Sequence, residues 1–161
     1  MKGLDFRKAD PDEIELMTKA RVDFCIRDNP NIDKQAYELF YQEVREWIID
    51  HVSRGLYTGY FGYLSDELVC FAGLLLFEMP PIVNESRRKQ GYVLSFFTYP
   101  PYRKKGIGNK LMEYMIRDAK EMSLSKLVLI ATDDGLPVYR KNGFSEPSLL
   151  YMEKRVNNGN H

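Results

Sequence analysis

Between Tyr92 and Asn109 the chain reads YVLSFFTYPPYRKKGIGN, an apolar stretch that passes through two prolines into a basic, glycine-punctuated loop. The residue types of that loop suit an anion. Gly106 and Gly108 permit positive φ and close approach of a ligand to the main chain. Consecutive N–H groups along Arg103, Lys104, Lys105, Gly106, Ile107, Gly108 and Asn109 can then converge on phosphate oxygens. A helix beginning at Gly108 brings its unpaired N–H groups and positive dipole end to the same place. A bland turn capping a helix has the same composition, and the loop alone does not separate the two. A P-loop is excluded, because it needs Gly-x-x-x-x-Gly-Lys-Ser/Thr. A dinucleotide fingerprint is disfavoured, because Leu111 stands where its third small residue belongs.

Other groups with chemical potential are sparse. Glu78 ends an apolar stretch and is the first candidate for a general base, with a solvated strand end as its plain alternative. His51 falls late in a helical pattern, where a helix-end role is the simpler reading. Cys25 and Cys70 have no histidine nearby in sequence, which argues against thiol nucleophilic catalysis and against zinc. Val138-Tyr139-Arg140-Lys141-Asn142-Gly143-Phe144 closes the last helical segment on a glycine and carries a tyrosine one turn inside it.

Arg103-x-x-Gly106-x-Gly108 between a strand and a helix, followed by Tyr139-x-x-x-Gly143-Phe144, resembles the GCN5-related N-acetyltransferases. The two motifs in this order cover Tyr92 to Phe144; the first ninety residues agree only in the order of their elements. The resemblance implies acetyl-CoA as cosubstrate and no metal. It places the N–H groups of Lys104 to Asn109 on the pyrophosphate, and Phe96, Phe97 and Thr98 beside the pantetheine arm. That arm would fill a gap between two splayed strands and satisfy backbone groups otherwise left without partners. It also implies that Tyr139 protonates the departing thiolate. A tyrosine, with an ordinary pKa of about 10, holds its proton at neutral pH and can donate without prior activation. Transfer would be direct attack by a neutral amine within a ternary complex, with Glu78 or water taking the amine proton. The family's usual asparagine before the tyrosine is replaced here by Thr132, whose hydroxyl could serve as donor. Asp133 and Asp134 follow it, suited to capping the short helix. A small amine, an aminoglycoside-like antibiotic, an amino acid and a protein amino terminus are all consistent as acceptor; a small-molecule amine is expected, with a cationic one mildly favoured by the mixed aromatic and acidic residues. A non-catalytic acyl-CoA sensor of the same fold is the rival reading.

The elements that must hold these residues follow from periodicity. Leu4–Arg7 reads as a strand and Asp10-Pro11 as the start of a helix with acids at its positive end. A second helix is expected from Asp33 to Ser53, with Tyr37, Phe40, Val44, Trp47, Ile48 and His51 on a mostly buried face; the resemblance implies that this helix walls part of the acceptor pocket. Tyr57–Leu64 and Leu68–Phe77 read as a hairpin turning at Ser65-Asp66-Glu67. Met79–Gln90, with Pro80-Pro81 and Arg87-Arg88-Lys89, reads as a loop. Strands are expected at Tyr92–Tyr99, Leu127–Ala131 and Leu149–Arg155, with helices at Gly108–Met122 and Leu136–Asn142. Taken with the resemblance, which implies the central splay, the expected fold class is α/β, a single domain over 1–156 with a mixed, mostly antiparallel sheet splayed at its centre and flanked by helices, and 157–161 as a disordered tail.

With 161 residues, 44% hydrophobic, and 23 basic against 23 acidic side chains, the chain can build one full core and shows no general affinity for nucleic acid or anionic membrane. Two cysteines and the lack of a signal-peptide pattern point to a reducing cytoplasm. A homodimer is compatible with all of this.

Overall fold

The computed structural model describes residues 3–81, 83, 88–148 and 150–156. In chain order they form β1 (Leu4–Lys8), α1 (Ile14–Ile26), α2 (Lys34–Ser53), β2 (Tyr57–Leu64), β3 (Glu67–Glu78) and β4 (Lys89–Thr98). A 3-10 turn (Pro100–Tyr102), α3 (Ile107–Glu121), β5 (Lys126–Val128) and α4 (Leu136–Lys141) follow. One sheet has the order β1-β2-β3-β4-β5, antiparallel throughout except for the parallel β4–β5 pair. This is the expected α/β class, with helices on both faces.

Alternation along the strands divides the core in two. Tyr60, Cys70, Ala72, Leu74 and Val93 pack with Ile107, Leu111, Met112 and Met115 of α3 and Tyr139 of α4. Phe61, Phe71 and Tyr57 pack with Met17 and Ala20 of α1 and Ile48 of α2. Polar ties fix the helices to the strands. The Tyr60 hydroxyl donates to Asp118 of α3 at 2.5 Å, and Lys8 of β1 reaches the same carboxylate at 3.0 Å.

Several expected boundaries move. The first helix starts at Ile14 rather than at Asp10-Pro11, because the Glu13 carboxylate is held by Arg7 at 2.7 Å and accepts from the Asp10 N–H at 2.8 Å. Those bonds keep residues 10–13 in a turn. The α2 face buries less than its pattern suggests: only Ile48 is fully buried, and Trp47 is 37% exposed. β4 begins at Lys89, opposite Glu78, so the preceding loop is shorter than expected. Ile82 and 84–87, with Arg87 of the basic patch, lie outside the described residues, as do Leu149 and the tail 157–161.

Of two further strand expectations, Leu127–Ala131 is met only in its first residues and Leu149–Arg155 is not met among the described residues. Leu129–Ala131 does not extend β5, and residues 150–156 form no strand, leaving Leu150, Tyr151, Met152 and Val156 exposed. In both stretches the apolar sequence meets no neighbouring edge among the described residues, and β-propensity without a partner does not make a strand. No described helix is long and apolar enough to cross a membrane.

Candidate active site

β4 and β5 pair only at Gln90–Tyr92 with Lys126–Val128, after which β5 ends and β4 runs on to Thr98. Along Val93–Thr98 the edge of β4 turned away from β3 therefore has no strand beside it among the described residues. Its outward N–H and C=O groups form an open ladder suited to an extended ligand. Within this run β4 bulges: Phe71 pairs with Phe97 and Gly73 with Leu94, so two residues of β4 oppose Ala72 alone. Ser95 in the bulge has φ 52 and is 4% exposed. The bulge re-aims side chains. Val93 and Phe96 pack towards α3, Leu94 packs towards α1 and α2, and the Ser95 hydroxyl accepts from Arg21 of α1 at 2.8 Å. Phe97 meets Phe24 of α1 edge-on at 6.2 Å. The two phenylalanines thus face opposite sides of the sheet.

The open edge leads through Pro100–Tyr102 into the glycine loop. Arg103 donates from Nε to the Thr98 carbonyl at 3.0 Å and lies over Phe97 at 5.4 Å, which ties the loop back to the strand. Lys104 and Gly106 both adopt positive φ, 60 and 77. Gly106 occupies the position before α3, and no side chain caps that helix start. The first N–H groups of α3, at Ile107, Gly108 and Asn109, are left for another acceptor. Gly108 differs from the expectation of positive φ, since it already belongs to the helix. A Cβ there would meet only Phe96 and Thr98 at ordinary contact distance, 3.5 Å, so the protein itself does not require this glycine. Lys104 and Lys105 are exposed.

Tyr139 projects from α4 against the same strand. Its ring meets Phe96 at 5.6 Å and Phe144 at 5.9 Å, and the residue is 7% exposed. Burial pushes its hydroxyl above the usual tyrosine range. Gly135 is the condition for this placement, because a Cβ there would stand 2.6 Å from the Tyr139 ring. Asn142 fastens α4 to α3: its Nδ2 donates to the Asn109 side chain at 2.9 Å and to the Val138 carbonyl at 2.8 Å. The loop motif and the tyrosine motif are therefore joined directly by a pair of asparagines, a link that local patterns do not reveal.

The remaining candidates lie as follows. Thr132 is exposed, and its carbonyl, accepting from the Gly135 and Leu136 N–H groups at 3.0 Å, closes the first turn of α4. Asp133 and Asp134 do not cap that helix, which has no side-chain cap. Glu78 is exposed at the end of β3, without the partial burial expected of it. His51 donates from Nδ1 to the Trp47 carbonyl at 2.8 Å and stacks on the Trp47 ring, a helix-end arrangement. Cys70 is fully buried, with its thiol pushed up to about 12 by desolvation. A groove of about 360 Å³ lies at the far end of α3, between Ile116, Leu124, Leu127 and Phe144, away from the glycine loop. Sequence reasoning missed Arg21, since nothing in α1 marks one arginine among its charges.

The sequence model of the Acetyltransferase (GNAT) family matches residues 22–144. No curated protein sequence matches the chain significantly. Among solved structures, the chain resembles a predicted acetyltransferase with acetyl-CoA from Clostridium acetobutylicum, with 24% identity, 98% of this chain and 99% of that one covered, and a TM-score of 0.80. It also resembles a GCN5-related N-acetyltransferase from Ralstonia eutropha JMP134, with 26% identity, 96% and 99% covered, and a TM-score of 0.77. An aminoglycoside acetyltransferase from an uncultured soil metagenomic sample shares the fold at 13% identity, 96% and 97% covered, and a TM-score of 0.70. The matched span runs from α1 through the bulged β4, the uncapped start of α3 and the tyrosine of α4, and with it the chain belongs to the acetyltransferase (GNAT) family.

Proposed function

We propose that the protein is an acetyl-CoA-dependent N-acetyltransferase that transfers the acetyl group to a primary amine of a small molecule. The observation that carries this reading is the continuity of three features: the open edge of β4, the uncapped N-terminus of α3 at its end, and Tyr139 beside Phe96. Main-chain N–H groups from Lys104 to Asn109 hold the pyrophosphate, drawing on the helix dipole and on positive φ at Lys104 and Gly106. The edge at Phe96, Phe97 and Thr98 takes the pantetheine arm by strand-like hydrogen bonds.

With the thioester lying along the bulge, a neutral amine attacks the acetyl carbonyl. The C–N bond forms, the C–S bond breaks, and the thiolate takes the proton of the Tyr139 hydroxyl. The ammonium proton leaves to water or to the Glu78 carboxylate at the solvent end of β3. Orientation of amine and thioester in one complex supplies much of the acceleration. Calorimetric titration with acetyl-CoA, followed by release of free thiol across an amine panel, tests the reading. Binding at micromolar concentration or below with turnover is expected. Binding without turnover on any amine would leave a sensor, and failure to bind would reduce the glycine loop to a helix start.

A further inference from the structure

The acceptor's chemistry is written on the α1 side of the bulge. Each other charged side chain from Glu15 to Arg27 on α1 and its cap has an opposite charge close by. Glu15 pairs with Arg45 at 2.5 Å, Lys19 with Asp23 at 2.9 Å, and Arg27 with Asp28 at 3.3 Å. Asp23 also accepts from the Tyr99 hydroxyl at 3.0 Å. Arg21 is different. It is half-buried, its one side-chain bond among the described residues is the 2.8 Å contact to Ser95 Oγ, and no described carboxylate lies within ion-pair distance. A guanidinium has five N–H donors in a planar fork that matches an oxyanion two bonds at a time. One hydroxyl leaves most of that fork unused.

The supporting structure is built for Arg21. Ser95 is 4% exposed and sits at φ 52, a left-handed conformation adopted by a non-glycine residue only at a cost. The cost coincides with a bulge that sends the serine hydroxyl to the α1 face instead of the face shared by Val93 and Phe96. On that face the Phe24 ring lies 5.7 Å from the Arg21 guanidinium. Buried Tyr57 is close enough for the arginine's charge to oppose the burial that raises its hydroxyl. Tyr139 approaches the same bulge through Phe96 from the opposite face.

We propose that Arg21, aimed by Ser95, is the acceptor-recognition residue, and that the acceptor is a small amine carrying an oxyanion, a carboxylate or a phosphate, near its nitrogen. This rests on the N-acetyltransferase reading. The α1 carboxylates that would favour a purely cationic acceptor are engaged elsewhere, Asp23 with Lys19 and Tyr99, and Glu15 with Arg45. The anion docks on the free N–H fork, which sets the amine at the α1 mouth of the bulge, across from Tyr139.

Matched acceptor pairs test this in the full-length protein with acetyl-CoA: amino acids against their amides, and phosphoethanolamine against ethanolamine. The anionic member of at least one pair should be used with kcat/KM at least tenfold higher, and the favoured pair tells carboxylate from phosphate. Arg21→Gln should bring that ratio close to one, chiefly by raising KM, and Arg21→Lys should restore part of it. If Arg21→Gln does not fold, Ser95→Ala supplies the same readout with a severalfold fall in the ratio. Neutral or cationic amines used as well as their anionic counterparts would overturn the inference. So would an Arg21→Gln protein in which both members slow together and the ratio persists, since that marks a purely structural arginine. Acetyl-CoA binding without turnover on any amine would remove the enzyme reading and this inference with it, whereas turnover at a ratio of one, or only on amines that carry no oxyanion, removes the inference alone.

Discussion

At the scale of single residues the proposed mechanism turns on Tyr139, and its neighbours explain how the ring is placed. Phe96, Phe144 and the missing side chain at Gly135 hold the ring on β4, and burial raises the hydroxyl above its usual range. The working form of a general acid is the protonated one, so a raised pKa extends activity to higher pH. The alkaline limb of kcat that belongs to Tyr139 should therefore fall above about pH 10. Tyr139→Phe keeps the packing and removes the proton. It should lower kcat by about a hundredfold or more, leave acetyl-CoA affinity within about twofold, and abolish that limb. Equal kcat in the two proteins would show the tyrosine to be packing only. The tyrosine was legible in sequence because it stands in a spaced motif. Gly135 and Arg21 were not, since their roles depend on what lies opposite in space: the Tyr139 ring for one and the bulge of β4 for the other.

Among the elements, the starts of α2 and α3 make an instructive pair. Asp33, where the sequence reading starts the second helix, has extended backbone and accepts from the Gln35 and Ala36 N–H groups at 2.9 and 3.1 Å, a self-sufficient cap. Gly106 offers no side chain and adopts φ 77, so α3 begins with its N–H groups uncommitted. Asp33→Ala should cost about 1 kcal/mol of stability, a Tm lower by about 2–4 °C for a chain of this size, with acetyl-CoA affinity unaffected. Gly106→Ala meets no steric neighbour, so its cost is backbone strain alone, again about 1 kcal/mol. In addition it should weaken acetyl-CoA binding about tenfold or more, because the cradle must shift. Calorimetry on both variants checks the contrast, and equal loss of binding in the two would deny α3 its special role. The start of α2 and the β2–β3 hairpin were legible because their signals are local, whereas the start of α1 is displaced to Ile14 by the Arg7–Glu13 pair. The early end of β5 and the missing last strand were not legible, because a strand exists only against a partner edge, and β4 diverges from β5 after Tyr92.

For the molecule as a whole, the two-faced core predicts how stability responds to alkali. Cys70 on the α3 side is fully buried, its thiol pushed up from about 9 to about 12. Tyr60 on that face, Tyr57 on the other and Tyr99 beside Asp23 are all raised well above the ordinary tyrosine value, chiefly by burial. For each group the folded state holds its proton more tightly than the unfolded chain does. Their contribution is complete below the unfolded values, about 9 for the thiol and 10 for the phenols, and is lost progressively as pH rises beyond them. Once above its unfolded value, each group removes roughly 1 kcal/mol of stability per pH unit. The urea midpoint should therefore stay level from about pH 7 to 8.5 and fall with increasing steepness above about pH 9, as first the thiol and then the three phenols come into play. Cys70→Ala, though less stable at neutral pH because of the cavity it leaves, should show a shallower decline between about pH 9 and 10 while keeping the steeper fall beyond it. A midpoint independent of pH up to about 11 would mean that these groups titrate alike in the folded and unfolded chains, and that the two faces of the sheet are wetter than their packing indicates.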